Sequence, residues 1–77
     1  MKEFQVITYR LDGNMQRCNR QVYDIGEFED IKTAYETILG NVLCQAPNGA
    51  AADKERHTIS FLNGPDMVEW IVAEKED

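Results

Sequence analysis

Cysteine and proline occur only twice each in 77 residues, histidine and tryptophan only once, and no apolar run approaches the roughly 18 residues of a membrane span. Each scarcity excludes a class of protein. Cys18 and Cys44 stand far apart with no CxxC neighbour, whereas small secreted domains usually carry about four or more cysteines, so a disulfide framework is not expected and both read as buried thiols. One histidine with two distant cysteines falls short of the three or four ligands that a metal site needs. The glycines Gly13, Gly26, Gly40, Gly49 and Gly64 are isolated, so no loop is present to cradle a phosphate. Basic residues are also few. Eight lysines and arginines face 14 acids, a formal charge of −6, with a pI near 4.6, and this disfavours direct binding to nucleic-acid phosphates or anionic lipid. The opening MKEFQVITYR lacks the apolar region of a signal peptide. A soluble cytoplasmic protein is expected.

What is present describes one small α+β domain over residues 1–77. A mass of 8.8 kDa corresponds to a folded surface of roughly 4,800 Å², enough for one core and too little for a deep pocket beside it. Residues 3–11 are rich in β-branched and aromatic types, and Asp12-Gly13-Asn14 supplies turn residues for a first hairpin over 3–23. A two-residue loop would set Ile7 opposite Cys18 and Tyr9 opposite Gln16; a three-residue loop would move Cys18 to Thr8, and the sequence leaves both open. Apolar groups on both faces place the first strand inside the sheet.

From Glu27 the period changes. Phe28, Ile31, Tyr35, Ile38 and Val42 recur at helical spacing with Ala34 in the same stripe, which predicts a helix over 27–43 with Gly40-Asn41 near its end. Residues 45–56, with the turn signal Pro47-Asn48-Gly49, read as an exposed, mobile loop. A second hairpin over 57–73 follows, its loop Asn63-Gly64-Pro65-Asp66. That register pairs Leu62 with Met67, Phe61 with Val68, Ile59 with Trp70 and His57 with Val72. The expected architecture is ββαββ, a four-stranded antiparallel sheet with one helix packed on one face. Trp70 should meet the helix stripe. Thr58, Ser60, Leu62, Met67, Glu69 and Ile71 then fall on the other face, which is half apolar and has no second helix to cover it.

A thiol enzyme built from Cys18 or Cys44 with His57 would also need an orienting group and an oxyanion site, and so small a sheet offers little to build them from. The sequence carries no signal for an enzyme, a cofactor or a metal. Charge is more informative. Residues 1–20 carry Lys2, Arg10, Arg17 and Arg20 against Glu3 and Asp12, whereas residues 21–77 carry twelve acids against four bases, a net of −8. Asp24, Glu27, Glu29, Asp30 and Glu36 surround the expected helix start. Asp66, Glu69, Glu74, Glu76 and Asp77 follow the last strand and tail. Acids at a helix start suit its dipole, and an acidic surface also suits a partner lined with lysine and arginine.

The short first strand pair, the single helix carrying DIKTAYETILG, the closing hairpin and the acidic balance together resemble the compact proteins encoded by phages and mobile elements, including anti-CRISPR inhibitors. The resemblance covers the whole chain in architecture. It implies a stoichiometric, non-enzymatic inhibitor in the host-cell cytoplasm that blocks a nucleic-acid-handling complex, such as a CRISPR effector complex, through its basic surface. The positive first hairpin departs from a pure DNA mimic and favours blocking of a protein surface, with no direct contact to nucleic acid or membrane. The expected contact residues are Asp24, Glu27, Glu29, Asp30, Glu36, Glu69, Leu62, Met67 and Ile71. A homodimeric assembly or accessory protein of phage or bacterial origin is the alternative.

Overall fold

The first hairpin is longer and less regular than its turn signal suggests. A computed structural model describes residues 1–46 and 49–75; in it β1 spans Lys2–Leu11 and β2 Arg17–Phe28. Neither register expected for this hairpin occurs. Asp12 builds a five-residue connection instead, its Oδ1 accepting from Asn14 N at 2.8 Å and Gln16 N at 2.9 Å, so Leu11 faces Arg17, Arg10 faces Cys18 and Ile7 faces Val22. The register shifts twice, between Thr8 and Arg10 and between Phe4 and Gln5. Each shift puts an extra residue into β2, beside Asn19 (φ 55°) in one case and Gly26 (φ 96°) in the other. Gly26 tolerates that left-handed backbone freely, and Asn19 is among the side chains that adopt it most readily.

The helix α1 runs Ile31–Gln45 and not from residue 27. Phe28 keeps its place against the core from the end of β2, where its ring meets Phe4 edge to face at 6.1 Å. The position satisfies a helical period without being helical. Asp30 stands outside as N-cap, its carboxylate accepting from Thr33 N at 2.8 Å. Gly40-Asn41 does not stop the helix, because the stripe continues to Val42, which is buried. A glycine costs a helix about 1 kcal/mol, and a buried valine side chain offsets that.

Among the described residues five strands are present where four were expected. Within residues 45–56, read as a mobile loop, Ala51–Asp53 forms a short β3 whose Ala52 pairs with Ile59; Pro47 and Asn48 of the turn signal lie outside the described residues, as do Glu76 and Asp77 of the acidic tail. β4 (Thr58–Asn63) and β5 (Asp66–Glu74) pair in the expected register, with Val72 N also donating to His57 O at 2.9 Å. Asn63 and Asp66 pair as well, so the connection shortens to Gly64-Pro65, with Gly64 at φ 66°. The antiparallel sheet runs β2-β1-β5-β4-β3, with β1 in its interior as expected.

One face of this sheet carries the core. Phe4, Val6, Ile59 and Val72 meet Ala34, Tyr35, Ile38 and Val42 of α1, and all eight are buried. Trp70 borders this core as expected, although it is only half-buried, and packs edge to face on Phe61 at 5.3 Å. Both cysteines are free thiols, Cys18 half-buried and Cys44 exposed on α1, so the expectation of two buried thiols holds for neither.

Candidate functional site

Alternation along the strands assigns the other face. Its central row is Val22, Ile7, Ile71 and Thr58, which are neighbours across β2, β1, β5 and β4. Toward the first turn a second row holds Arg17, Leu11, Met67 and Leu62, with Tyr9, Glu69 and Ser60 between the two. No element is packed over these rows among the described residues, since α1 belongs to the opposite side. Leu62 is 48% exposed and Val22 40%. Arg17 is exposed as well, and the others are half-buried only by their neighbours in the sheet. The accessible surface of 5401 Å² exceeds the roughly 4,800 Å² of a compact monomer of this mass. A layer is missing.

Toward the first turn the open face carries an ion pair. Arg17 Nε lies 2.7 Å from Glu69 Oε1, and the guanidinium sits 5.1 Å from the centre of the Tyr9 ring. The Arg17 contact is an ion pair without hydrogen-bond alignment, since that shielded oxygen accepts no hydrogen bond. The charged ends of the face differ. Near the first turn stand Arg17 and Arg20; at the far end Glu3 faces Glu27 across β1 and β2, with Asp24 close by and Lys75 Nζ at 3.3 Å from it.

The structure therefore divides the expected contact residues. Leu62, Met67, Ile71 and Glu69 come together on the open face, and Asp24 and Glu27 lie at one end of it on the edge strand β2. Glu29, Asp30 and Glu36 do not join them. Glu27 and Glu29 precede the helix, whose first turn contains no acid. Asp30 is occupied in capping, and the hydrogen bonds from Thr33, backbone first, hold its carboxyl below the usual range. Glu36 points outward from α1. Glu27, Glu29 and Asp30 still stand exposed just before the helix, apart from the rows of the open face that gather Leu62, Met67 and Ile71. Alternation in the sequence already puts Ile7, Tyr9 and Leu11 on one side of β1, though not among the expected contact residues, whereas Arg17, Arg20 and Val22 are hidden because the two extra residues in β2 conceal which of its side chains share a side.

On the helix side, an open cleft of about 560 Å³ lies beyond Ile38, lined by Thr8, Arg10, Gln21, Tyr23, Asp66 and Trp70 among others. Arg10 is held further above its ordinary value by Cys18 first and then by the carboxylates of Asp66 and Asp12. Cys18 Sγ donates to Arg10 O at 3.2 Å. His57 is three strands away from Cys18 in the sheet order, its ring edge-on to Tyr35 at 5.6 Å. Among the described residues no three His, Cys, Asp or Glu side chains converge as metal ligands, and no helix is long and apolar enough to cross a membrane. Comparison with protein-family models, curated proteins and solved structures finds no match.

Proposed function

We propose that this chain is a non-enzymatic protein-binding module whose working surface is the open face of its sheet. The observation that carries this reading is the central row, in which Ile7 and Ile71 lie side by side with no element over them among the described residues. Contiguous apolar surface of this kind on a small domain marks a contact site. The specific form implied by the resemblance to anti-CRISPR inhibitors is a stoichiometric blocker of a nucleic-acid-handling complex in the host cytoplasm. Asp24, Glu27 and Glu3 at one end of the face suit a basic target. Glu29, Asp30 and Glu36 take no part, so the acidic contribution comes from the sheet and not from the helix. The alternative form, a homodimeric accessory protein, uses the same face and draws support from its mixed charge.

Titration of the purified chain into a panel of purified CRISPR effector complexes tests the inhibitor form. Target cleavage is expected to fall to background at an equimolar ratio for at least one effector, and Ile71→Lys is expected to lose that inhibition. Undiminished cleavage by every effector at large excess contradicts the inhibitor form.

A further inference from the structure

The charges that the edge strand β2 contributes to the open face change sign about Val22, with Arg17 also paired to Glu69 and Asp24 to Lys75 within the chain. Along β2, Arg20 and Asp24 stand two residues either side of Val22, and Arg17 and Glu27 five residues either side. Each half of the strand contains one extra residue, so the two arms keep equal length. On the neighbouring β1, Leu11 opposite Arg17 and Glu3 opposite Glu27 are likewise equidistant from Ile7. Val22, Ile7 and Ile71 form the row across which the sign changes.

Resting on the reading that this face is a docking surface, we infer that its occupant is a second copy of the same chain, stacked face to face with its strands running the opposite way. The two-fold axis lies in the interface along the Val22, Ile7, Ile71 row. That rotation lays β2 on β2 with direction reversed, so Arg20 of one copy meets Asp24 of the other and Arg17 meets Glu27, each contact occurring twice. Ile7 and Ile71 stack on their own counterparts at the centre. The other two-fold, parallel to the strands, lays the basic end on the basic end and is disfavoured by like charge. Glu3 and Glu27 are like charges directly opposite within one chain, a destabilising pair that Arg17 of a second copy relieves.

The area is sufficient. Four strands about 4.8 Å apart and about nine residues long outline roughly 600 Å² per copy, about 1,200 Å² in all, which reaches the lower edge of stable interfaces. Two aligned sheets also bury a shared core in the manner of a sandwich. Pairing through the β2 edge is less favourable, because extra residues and alternating charges along it disrupt a further ladder.

Two opposite reversals test the arrangement. Sedimentation velocity of the parent chain is expected to show a dimer in the submillimolar range that weakens as salt rises. Arg20→Glu and Asp24→Lys each place like charges together twice in a dimer of identical copies, and each is expected to weaken self-association by about tenfold or more. Mixed in equal amounts, the two variants restore both contacts in a heterodimer, so the mixture should associate about as tightly as the parent. An effect of either change on folding alone cannot be restored by mixing. A parent that is monomeric at all concentrations overturns the inference, as does a mixture no tighter than the separate variants. Ile71→Lys distinguishes the two levels. If the parent is monomeric and Ile71→Lys still abolishes inhibition of an effector, the docking reading stands and the second copy does not; if Ile71→Lys changes neither mass nor inhibition, both fail.

Discussion

Ile71 and Val72 are adjacent in β5, similar in hydropathy, and different in fate. Val72 faces α1 and is buried, whereas Ile71 faces outward beside Ile7 and remains half-buried, with no layer over it among the described residues. The two faces of the sheet are comparably apolar at their centres, and what separates them is cover. Among the described residues a single fifteen-residue helix shields one side only. The difference teaches that hydrophobic alternation locates surfaces requiring burial, while the number of available layers decides which of them the isolated chain can bury.

That contrast can be broken most severely on the covered side. Val72→Lys puts an ammonium among Phe4, Tyr35 and Ile59 with nothing to pair it, and the chain is expected to be unfolded by circular dichroism at ordinary temperature. A milder change at the border of the core, Trp70→Ala, should cost about 3 kcal/mol in chemical denaturation, the lower end of the aromatic range because the ring is only half-buried. A loss under about 1 kcal/mol means that Trp70 belongs to the surface and that the faces are assigned wrongly.

Smaller effects sharpen the account of how the helix is fixed to its face. The Tyr35 hydroxyl donates to Thr58 O at 2.7 Å, and Tyr35→Phe should cost about 1 kcal/mol. Burial first, and the charge of Asp53 second, hold the Tyr35 pKa above its ordinary 10.0. The fold thus prefers the neutral phenol. The stability this group contributes is complete below pH 10 and is lost as pH rises through the folded pKa, so the parent's denaturation midpoint should fall at alkaline pH more steeply than that of Tyr35→Phe. The smallest effect belongs to the exposed cap. Asp30→Ala should lower the melting temperature slightly. Because the folded pKa of Asp30 is depressed, the cap's contribution is present above its ordinary 3.8 and disappears as pH falls through the folded value, so parent and variant should converge in acid.

Much of this architecture was legible from apolar spacing. The stripe Ile31, Ala34, Tyr35, Ile38 and Val42 and the register of the second hairpin both follow from side chains that must reach one core. Elements fixed by backbone conformation were not. The first hairpin depends on Asp12 accepting two backbone N–H groups and on left-handed residues at Asn19 and Gly26, which no hydrophobic period reveals. β3 is the sequence Ala-Ala-Asp, which has no strand signature and is defined by its pairing to β4. Phe28 misled by continuing a helical spacing from a strand. The candidate site was half visible for the same reason: Leu62, Met67, Glu69 and Ile71 lie in the regular hairpin, while Arg17, Arg20 and Val22 lie in the irregular one.

Ile71→Lys measured beside the parent tests the meaning of the open face most directly. It places a charge at the centre of that face and leaves the helix-facing core untouched. The account predicts an unchanged circular dichroism spectrum and denaturation of the monomer, together with sedimentation as a single 8.8 kDa species at concentrations where the parent is twice that mass. A variant that retains the parent's mass at every concentration, with the parent itself a dimer, would contradict it and move the contact surface elsewhere on the molecule.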